Sequence, residues 1–305
     1  MSLIVLTHSD CLAHTPPPGH PERAERLQAA LAGVDQLDHP DVRGAELVSD
    51  ADLQRMHGIN YLQSLADLDA SGSLLGLDPD TYIGRGSLRA ARLAAGAVCG
   101  GVDQVMAEPD RAVFAIVRPP GHHAESAQAM GFCLLNNIAV GAGRAADVHG
   151  LKRIAVVDFD VHHGNGTEAM LQNDSRFLFV SSHQAPLYPG TGDPATTTAS
   201  NVINATLTAN SGSDEFRALW IEHLLPALDR FKPQLVLVSA GFDGHWRDPL
   251  AQLQLKDQDY FWIGEQLMGI ARSHASGRLV ASLEGGYDLA AITESVVAFG
   301  EAIES

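Results

Sequence analysis

Short apolar runs rich in β-branched residues recur along the chain, and each ends abruptly in polar residues. They are Leu3 to Leu6, Ala112 to Val117, Ile154 to Val157, Phe177 to Val180, Leu235 to Val238 and Leu279 to Leu283. Runs this short and this continuously apolar predict buried parallel strands. Between them the apolar spacing turns helical, first at Leu27, Ala30, Leu31 and Val34, with Glu22, Arg23, Glu25 and Arg26 predicted to form a solvated face. Helical spacing returns at Tyr61, Leu62, Leu65 and Leu68, and then from Leu88 to Met106 behind Ser87 as cap. It appears again at Phe216, Leu219, Trp220 and Leu224, and at Phe261, Leu267 and Ile270. The Pro-rich stretch through Thr15 to Pro21 and the Gly-, Asp- and Pro-rich stretch 72–86 read as loops. Strand, polar loop and helix in repetition predict an α/β fold. A central parallel sheet is flanked by helices on both faces, with a site at the carboxyl ends of its strands.

The densest polar cluster follows the strand Ile154 to Val157, where Asp158, Asp160, His162 and His163 fall within six positions ahead of Gly164 and Gly166. Desolvating such a group without strong partners is costly, so a functional site outweighs a hydrogen-bonded turn. Asp160 and His162 alternate, which in an extended segment places them on one side. One carboxylate and one imidazole suit zinc or another divalent transition ion better than calcium, which calls for more oxygens. Asp243 follows the strand Leu235 to Val238 in a Gly-flanked turn and is the expected third ligand; the plainer alternative, a helix cap, fits its company less well. His122 and His123, behind Pro119, Pro120 and Gly121, offer one base and one electrostatic helper, with Asp158 able to orient an imidazole. Tyr287 can donate a hydrogen bond to an oxygen that becomes negative.

Composition changes this picture little. In 305 residues there are 37 Asp and Glu against 20 Lys and Arg, a formal charge of -17, which argues against nucleic acid and toward cationic partners. Cys11, Cys99 and Cys133 are scattered, so neither a disulfide framework nor a thiolate metal site is expected. With no basic leader at Met1 to His8, no membrane-spanning run, no repeat and no linker, the expectation is a cytoplasmic protein with one catalytic domain over 1–305.

Taken together, the motifs Arg118-Pro119-Pro120-Gly121-His122-His123, Gly131-Phe132-Cys133 and Asp158 through Gly166 form one ordered set. Tyr188-Pro189-Gly190-Thr191-Gly192-Asp193, Ala240-Gly241-Phe242-Asp243 and Glu284-Gly285-Gly286-Tyr287 complete it. In order and placement the set resembles the histone deacetylase family, within the arginase/deacetylase fold. Asn165 and Glu284 look more like its class II branch and the bacterial histone deacetylase-like amidohydrolases. The resemblance implies one zinc ion per chain on Asp160, His162 and Asp243. It implies His123 as general base and then acid, His122 with Asp158 tuning the electrostatics, and Tyr287 polarising the acyl carbonyl. It further implies a structural potassium ion held by Asp158, Asp160, His162, Ser181 and Ser182. Gly131, Phe132 and Tyr188 would wall the substrate tunnel, Asp80 would grip substrate backbone, and Arg23 would stand near the acetate exit. Gly164 stands where an arginase carries a further aspartate, so a single catalytic metal is implied. Asn165 replaces a class I aspartate behind His123, and Asn201-Val202-Ile203-Asn204 lacks the usual proline, which predicts an altered loop there.

The implied activity is zinc-dependent removal of acetyl or other short acyl groups from acyl-lysine in proteins or peptides. An acetylpolyamine amidohydrolase is the alternative, and a non-catalytic acyl-ligand receptor a third, disfavoured because a receptor needs no proton relay. Leu250, after Asp248-Pro249, aligns with the family's gatekeeper, which is a glutamate in the polyamine-selective branch. Leucine offers no attraction to a distal ammonium, which favours the peptide substrate.

Overall fold

The computed structural model describes residues 3–304. The apolar runs become strands β1 Ile4–Thr7, β3 Ala112–Ala115, β4 Ile154–Asp158, β5 Phe177–Gln184, β7 Leu235–Ala240 and β8 Leu279–Leu283. Two more, β2 Asp41–Gly44 and β6 Val202–Leu207, complete an eight-stranded sheet in the order β2-β1-β3-β8-β7-β4-β5-β6. Every pairing is parallel: Ile154 lies opposite Phe177 on one side and Leu235 on the other, and Val280 opposite Val113 and Leu237. The fold is thus a single α/β domain with a parallel sheet flanked by helices.

The register shows how both faces are covered. Val113 and Phe114 are consecutive in β3 and so point to opposite faces. Val113 packs against Gly101 of the helix Ser87–Ala107, where a Cβ would lie 3.1 Å from its Cγ1. The Phe114 ring meets Phe299 of the helix Leu289–Glu304 at 5.4 Å. On the latter face Phe159, Phe242 and Tyr260 join the same aromatic cluster, with Phe242 and Tyr260 at 5.1 Å and Phe159 and Phe299 at 5.4 Å. Phe159 and Phe242 immediately precede Asp160 and Asp243, so the core packing fixes where both acidic loops leave the sheet. Such ring pairs contribute about 0.5–1.5 kcal/mol each beyond area burial.

Several sequence expectations change. Ser87 is not the cap: Gly86 holds that position in a left-handed conformation, and the Ser87 hydroxyl accepts the Gly84 N–H at 3.0 Å and pairs with His14 Nδ1 at 2.9 Å. The strand expected to reach Val117 ends at Ala115, and the one expected to end at Val180 continues to Gln184. The stretch 72–86 contains a short antiparallel pairing of Leu75–Gly76 with Tyr82–Ile83. Val202 to Asn204, beside which an altered loop was expected, lie in an edge strand.

The largest correction concerns charge. Glu22 and Arg26, expected on a solvated face, are wholly buried together with Arg118. Arg118 grips Glu22 with Nε and with Nη2, the latter at 2.6 Å, and Arg26 Nη1 adds a bond of 3.0 Å. Burial opposes ionisation of Glu22, but Arg118, His14 and Arg26 outweigh it and hold its carboxyl down at about 2. Cys11, Cys99 and Cys133 are buried and unpaired, and no helix among the described residues is long and apolar enough to cross a membrane.

Candidate metal centre

Asp160, His162 and Asp243 converge in the interior with potential ligand atoms all within 4.8 Å of one another. Convergence does not come from an extended segment, as their alternation had suggested: β4 ends at Asp158 and the chain bends through Asp160 to His162. The bend is held by side-chain to backbone bonds, Asp158 Oδ1 accepting from the Asp160 N–H at 3.1 Å and Asp160 Oδ1 from the His162 N–H at 2.9 Å. His162 Nδ1 stands 3.1 Å from both Asp160 Oδ1 and Asp243 Oδ2. The remaining oxygens are tied to backbone, Asp160 Oδ2 to Gly285 N–H at 2.8 Å and Asp243 Oδ1 to Val161 N–H at 2.9 Å. A Cβ on Gly285 would fall 1.9 Å from Asp243 Oδ2 and 2.5 Å from Asp160 Oδ2, so only glycine leaves the carboxylates this room. Two carboxylates and one imidazole nitrogen, buried, oriented and crowded together, match the donor set of a divalent zinc-type ion.

Beside them lie two imidazoles in different electrical states. His122 Nδ1 bonds Asp158 Oδ2 at 2.9 Å, and its Nε2 lies 3.8 Å from Asp160 Oδ1. Burial disfavours its cation, but Asp158 and Asp160 outweigh burial and raise it to about 10. Its neighbour His123, ring centroid 4.0 Å away, is pushed well below the ordinary range by burial and then by His122 and His162. His123 Nδ1 meets Asn165 Oδ1 at 2.8 Å, while Asn165 Nδ2 faces Glu125 Oε1 at 3.0 Å and the His123 carbonyl oxygen. Both of the latter only accept, so the amide oxygen faces the ring and Nδ1 carries the proton. Nε2 is left as the basic nitrogen. Asn165→Asp is expected to raise the His123 pKa, moving the acidic limb of the kcat/KM profile up by about one pH unit; an unmoved limb in a folded variant would exclude that coupling. Glu125 is partly exposed and can turn to solvent in that variant.

A pocket of about 230 Å³ reaches this centre, lined by His122, His123, His162, Phe132, Tyr188 and Tyr287, with Gly131, Leu250 and Asp80 also on its wall. Gly131 and Phe132 both have positive φ, 55° and 69°, and a Cβ on Gly131 would strike the His123 ring at 2.4 Å. The Phe132 ring meets Tyr287 edge-on at 5.8 Å, and Tyr188 meets His123 at 5.2 Å. Burial raises the Tyr287 phenol well above its ordinary range, with Arg26 opposing, so it stays protonated and able to donate. Asp80 is partly buried and raised by burial and by Asp78.

Other expected residues fall elsewhere. Arg23 is exposed and lines a wider groove of about 960 Å³ that shares Leu250 and Tyr287 with the pocket. The guanidinium beside Tyr287 belongs to Arg26, 4.8 Å from the ring centroid and donating to the carbonyl oxygens of Gly286 and Glu284. The Ser181 hydroxyl pairs with His183 Nδ1 at 3.0 Å and that of Ser182 accepts from Trp220 Nε1 at 3.2 Å, both next to the Asp158 strand. Sequence reasoning used Glu284 as a motif residue but gave it no role; its carboxylate accepts the N–H groups of Gly121 at 2.6 Å and His122 at 3.1 Å. The only signal was a charged residue at the end of an apolar run. A second cluster is His245, Asp257 and Glu294, where His245 Nε2 lies 3.3 Å from Asp257 Oδ1, His245 Nδ1 accepts the Arg247 backbone N–H at 3.2 Å and the Arg247 guanidinium bonds Glu294.

The family profile described as Histone deacetylase domain matches residues 18–303. The Histone deacetylase-like amidohydrolase of Pseudomonas aeruginosa is 40% identical, the match covering 88% of this chain and 71% of that protein. The Type-2 histone deacetylase 2 of Dictyostelium discoideum is 35% identical over 94% of this chain, which spans only 20% of that longer protein. Among solved structures, the HDA15 HD domain superposes with a TM-score of 0.93 at 30% identity, covering 99% of this chain and 88% of that one.

Proposed function

The chain belongs to the histone deacetylase family, as one of its deacetylases/amidohydrolases, and from that premise we propose that it removes acetyl or other short acyl groups from acyl-lysine in proteins or peptides. The observation that carries this reading is a pocket lined by a neutral His123, a protonated Tyr287 and His162, the last clustered with Asp160 and Asp243 into one donor set. These three ligands would hold one zinc ion, which when bound would polarise the acyl carbonyl and acidify a water.

The chain's own groups then account for the proton traffic. His123 Nε2 takes a proton from the attacking water as oxygen bonds to the acyl carbon. Tyr287 donates a hydrogen bond to the carbonyl oxygen as it becomes negative. The C–N bond breaks as the same imidazole, now protonated, gives its proton to the leaving amine, so the products are a carboxylate and a free amine. His122, held cationic by Asp158, adds positive charge without taking part in the transfer. Phe132, Tyr188 and Asp80 line the pocket, where the first two would flank the methylenes of the substrate and Asp80 would accept from its backbone. A structural potassium ion is part of the proposal, at Asp158, Asp160, His162, Ser181 and Ser182. Both serine hydroxyls are engaged with His183 and Trp220, so carbonyl oxygens are the donors we expect from that strand.

Leu250 gives the pocket wall an apolar contact, which suits a substrate whose distal end is neutral peptide. Asp80 on the pocket wall, with Asp78 beside it, is the feature that favours the alternative, an acetylated polyamine with a distal ammonium. Metal-defined protein should show a higher kcat/KM on acetyl-lysine peptides than on acetylspermidine; the reverse order over every peptide tested would overturn the substrate assignment. No turnover of any acylated amine in fully metallated protein would leave only a receptor. Leu250→Glu is expected to shift relative kcat/KM toward acetylated polyamines by roughly three- to tenfold, the scale of a partly exposed charge pair.

A further inference from the structure

We infer that Asp248 is a positioning residue for this reaction, setting where the Tyr287 phenol and the Leu250 wall stand in the pocket. Its side chain is buried, 7% exposed, and every bond recorded for it goes to backbone N–H groups of the two loops that carry those residues. Oδ1 accepts from Leu250 at 3.0 Å, and Oδ2 accepts from Tyr287 at 2.7 Å and more weakly from Asp288 at 3.4 Å. One carboxylate therefore ties the loop after β7 to the loop after β8 at the two points that face substrate.

The surroundings of Tyr287 show what this tie adds. Gly286, just before it, has φ of 119°, a conformation that glycine enters freely and leaves freely. Among the described residues, Phe132 meets the Tyr287 ring edge-on at 5.8 Å and the Arg26 guanidinium lies 4.8 Å from its centroid, contacts that confine the ring without fixing its direction. Rotation of the peptide between Gly286 and Tyr287 is opposed at its two ends, by Arg26 Nε donating to the Gly286 carbonyl oxygen and by Asp248 accepting from the Tyr287 N–H. Of these two constraints only the Asp248 bond, at 2.7 Å, also reaches the loop that carries Leu250. A donor that must meet a developing oxyanion tolerates little displacement, so loosening it lowers turnover with little change in substrate binding.

The inference rests on the reading of Tyr287 as the carbonyl donor, and its test is a double-mutant cycle on intact metallated protein. Asp248→Asn keeps the shape but replaces one acceptor oxygen with an amide donor, which cannot accept from the N–H groups on that side. In the parent, Asp248→Asn is expected to lower kcat roughly tenfold with KM changed less than about twofold and zinc content unchanged. In a Tyr287→Phe background the same substitution should cost less than about twofold, because no phenol remains to be misplaced. Equal losses in both backgrounds, or none in the parent, would overturn the inference. If Asp248→Asn does not fold, Asp248→Glu, which keeps charge and both oxygens but moves them by one methylene, goes through the same cycle with the same two readings. The cycle uses whichever acylated amine the parent turns over fastest, so it stands or falls apart from the peptide assignment. A Tyr287→Phe protein as active as the parent would instead remove the donor role itself, and the inference with it.

Discussion

Asp243→Ala is expected to abolish zinc binding and turnover together, with kcat lower by at least about a thousandfold and less than one tenth of an equivalent of metal retained after dialysis. The reason lies in how the donors are shared out. Asp160 and His162 come from one bend after β4, while Asp243 comes from a different strand and closes the group from the other side. Two ligands from a single bend leave the ion open to water, and loss of an outer partner alone already costs about 10- to 100-fold in affinity. Alanine also strips the Val161 N–H of its acceptor, so the loop carrying His162 loses one of its anchors. Folding is checked separately by circular dichroism and thermal melting. Zinc should raise the Tm of the parent by mass action and leave that of the variant unmoved. A folded variant with one equivalent of zinc and parental turnover would take Asp243 out of the ligand set.

How much of this was legible in the sequence follows from what each residue's partners are. The interior strands were visible because both of their faces are buried, so β4, β7 and β8 are apolar but for Asp158, Ser239 and Ser282. The edge strands β2 and β6 were missed because exposure alternates along them: Asp41–Gly44 carries Asp and Arg, and Val202–Leu207 carries Asn and Thr. The helix Asn137–Asp147 escaped for another reason. It is rich in Gly and Ala, whose value is close approach rather than amphipathic contrast, and a Cβ on Gly141 would meet Val98 at 2.5 Å.

The same division runs through the site. Residues that act by what they are, His122, His123, Asp160, His162, Asp243 and Tyr287, stood out at strand ends, and the fold brings them together. Residues that act by what they hold did not. Arg26 lies four positions after Glu22 and looks like half of a surface ion pair until Arg118, 96 positions from Glu22 along the chain, is found buried against it. Asp248 and Glu284 bond backbone N–H groups, which every non-proline residue carries, so the motifs that contain them gave no sign of what they hold.

Tyr287→Phe should lower kcat roughly 100-fold or more while leaving zinc content and KM close to the parent. The substitution removes one hydroxyl and nothing else that holds the residue: the ring keeps its edge contact with Phe132 and its place beside Arg26, and the backbone N–H keeps Asp248. What disappears is a donor whose bond strengthens as the acyl oxygen becomes negative, so the loss falls on the transition state rather than on the bound substrate. Burial keeps that phenol protonated well above its ordinary range, so the parent presents the donor across the neutral pH interval and titration of Tyr287 does not shape the profile there. The variant should therefore run parallel to the parent as pH changes, with the acidic limb still set by His123 and only the height reduced. A preserved pH profile at about one hundredth of the rate, on fully metallated protein, is the expected record. Turnover within a few-fold of the parent would show that another group stabilises the oxyanion, and Arg26, whose guanidinium already lies beside the ring, would be the first residue to examine.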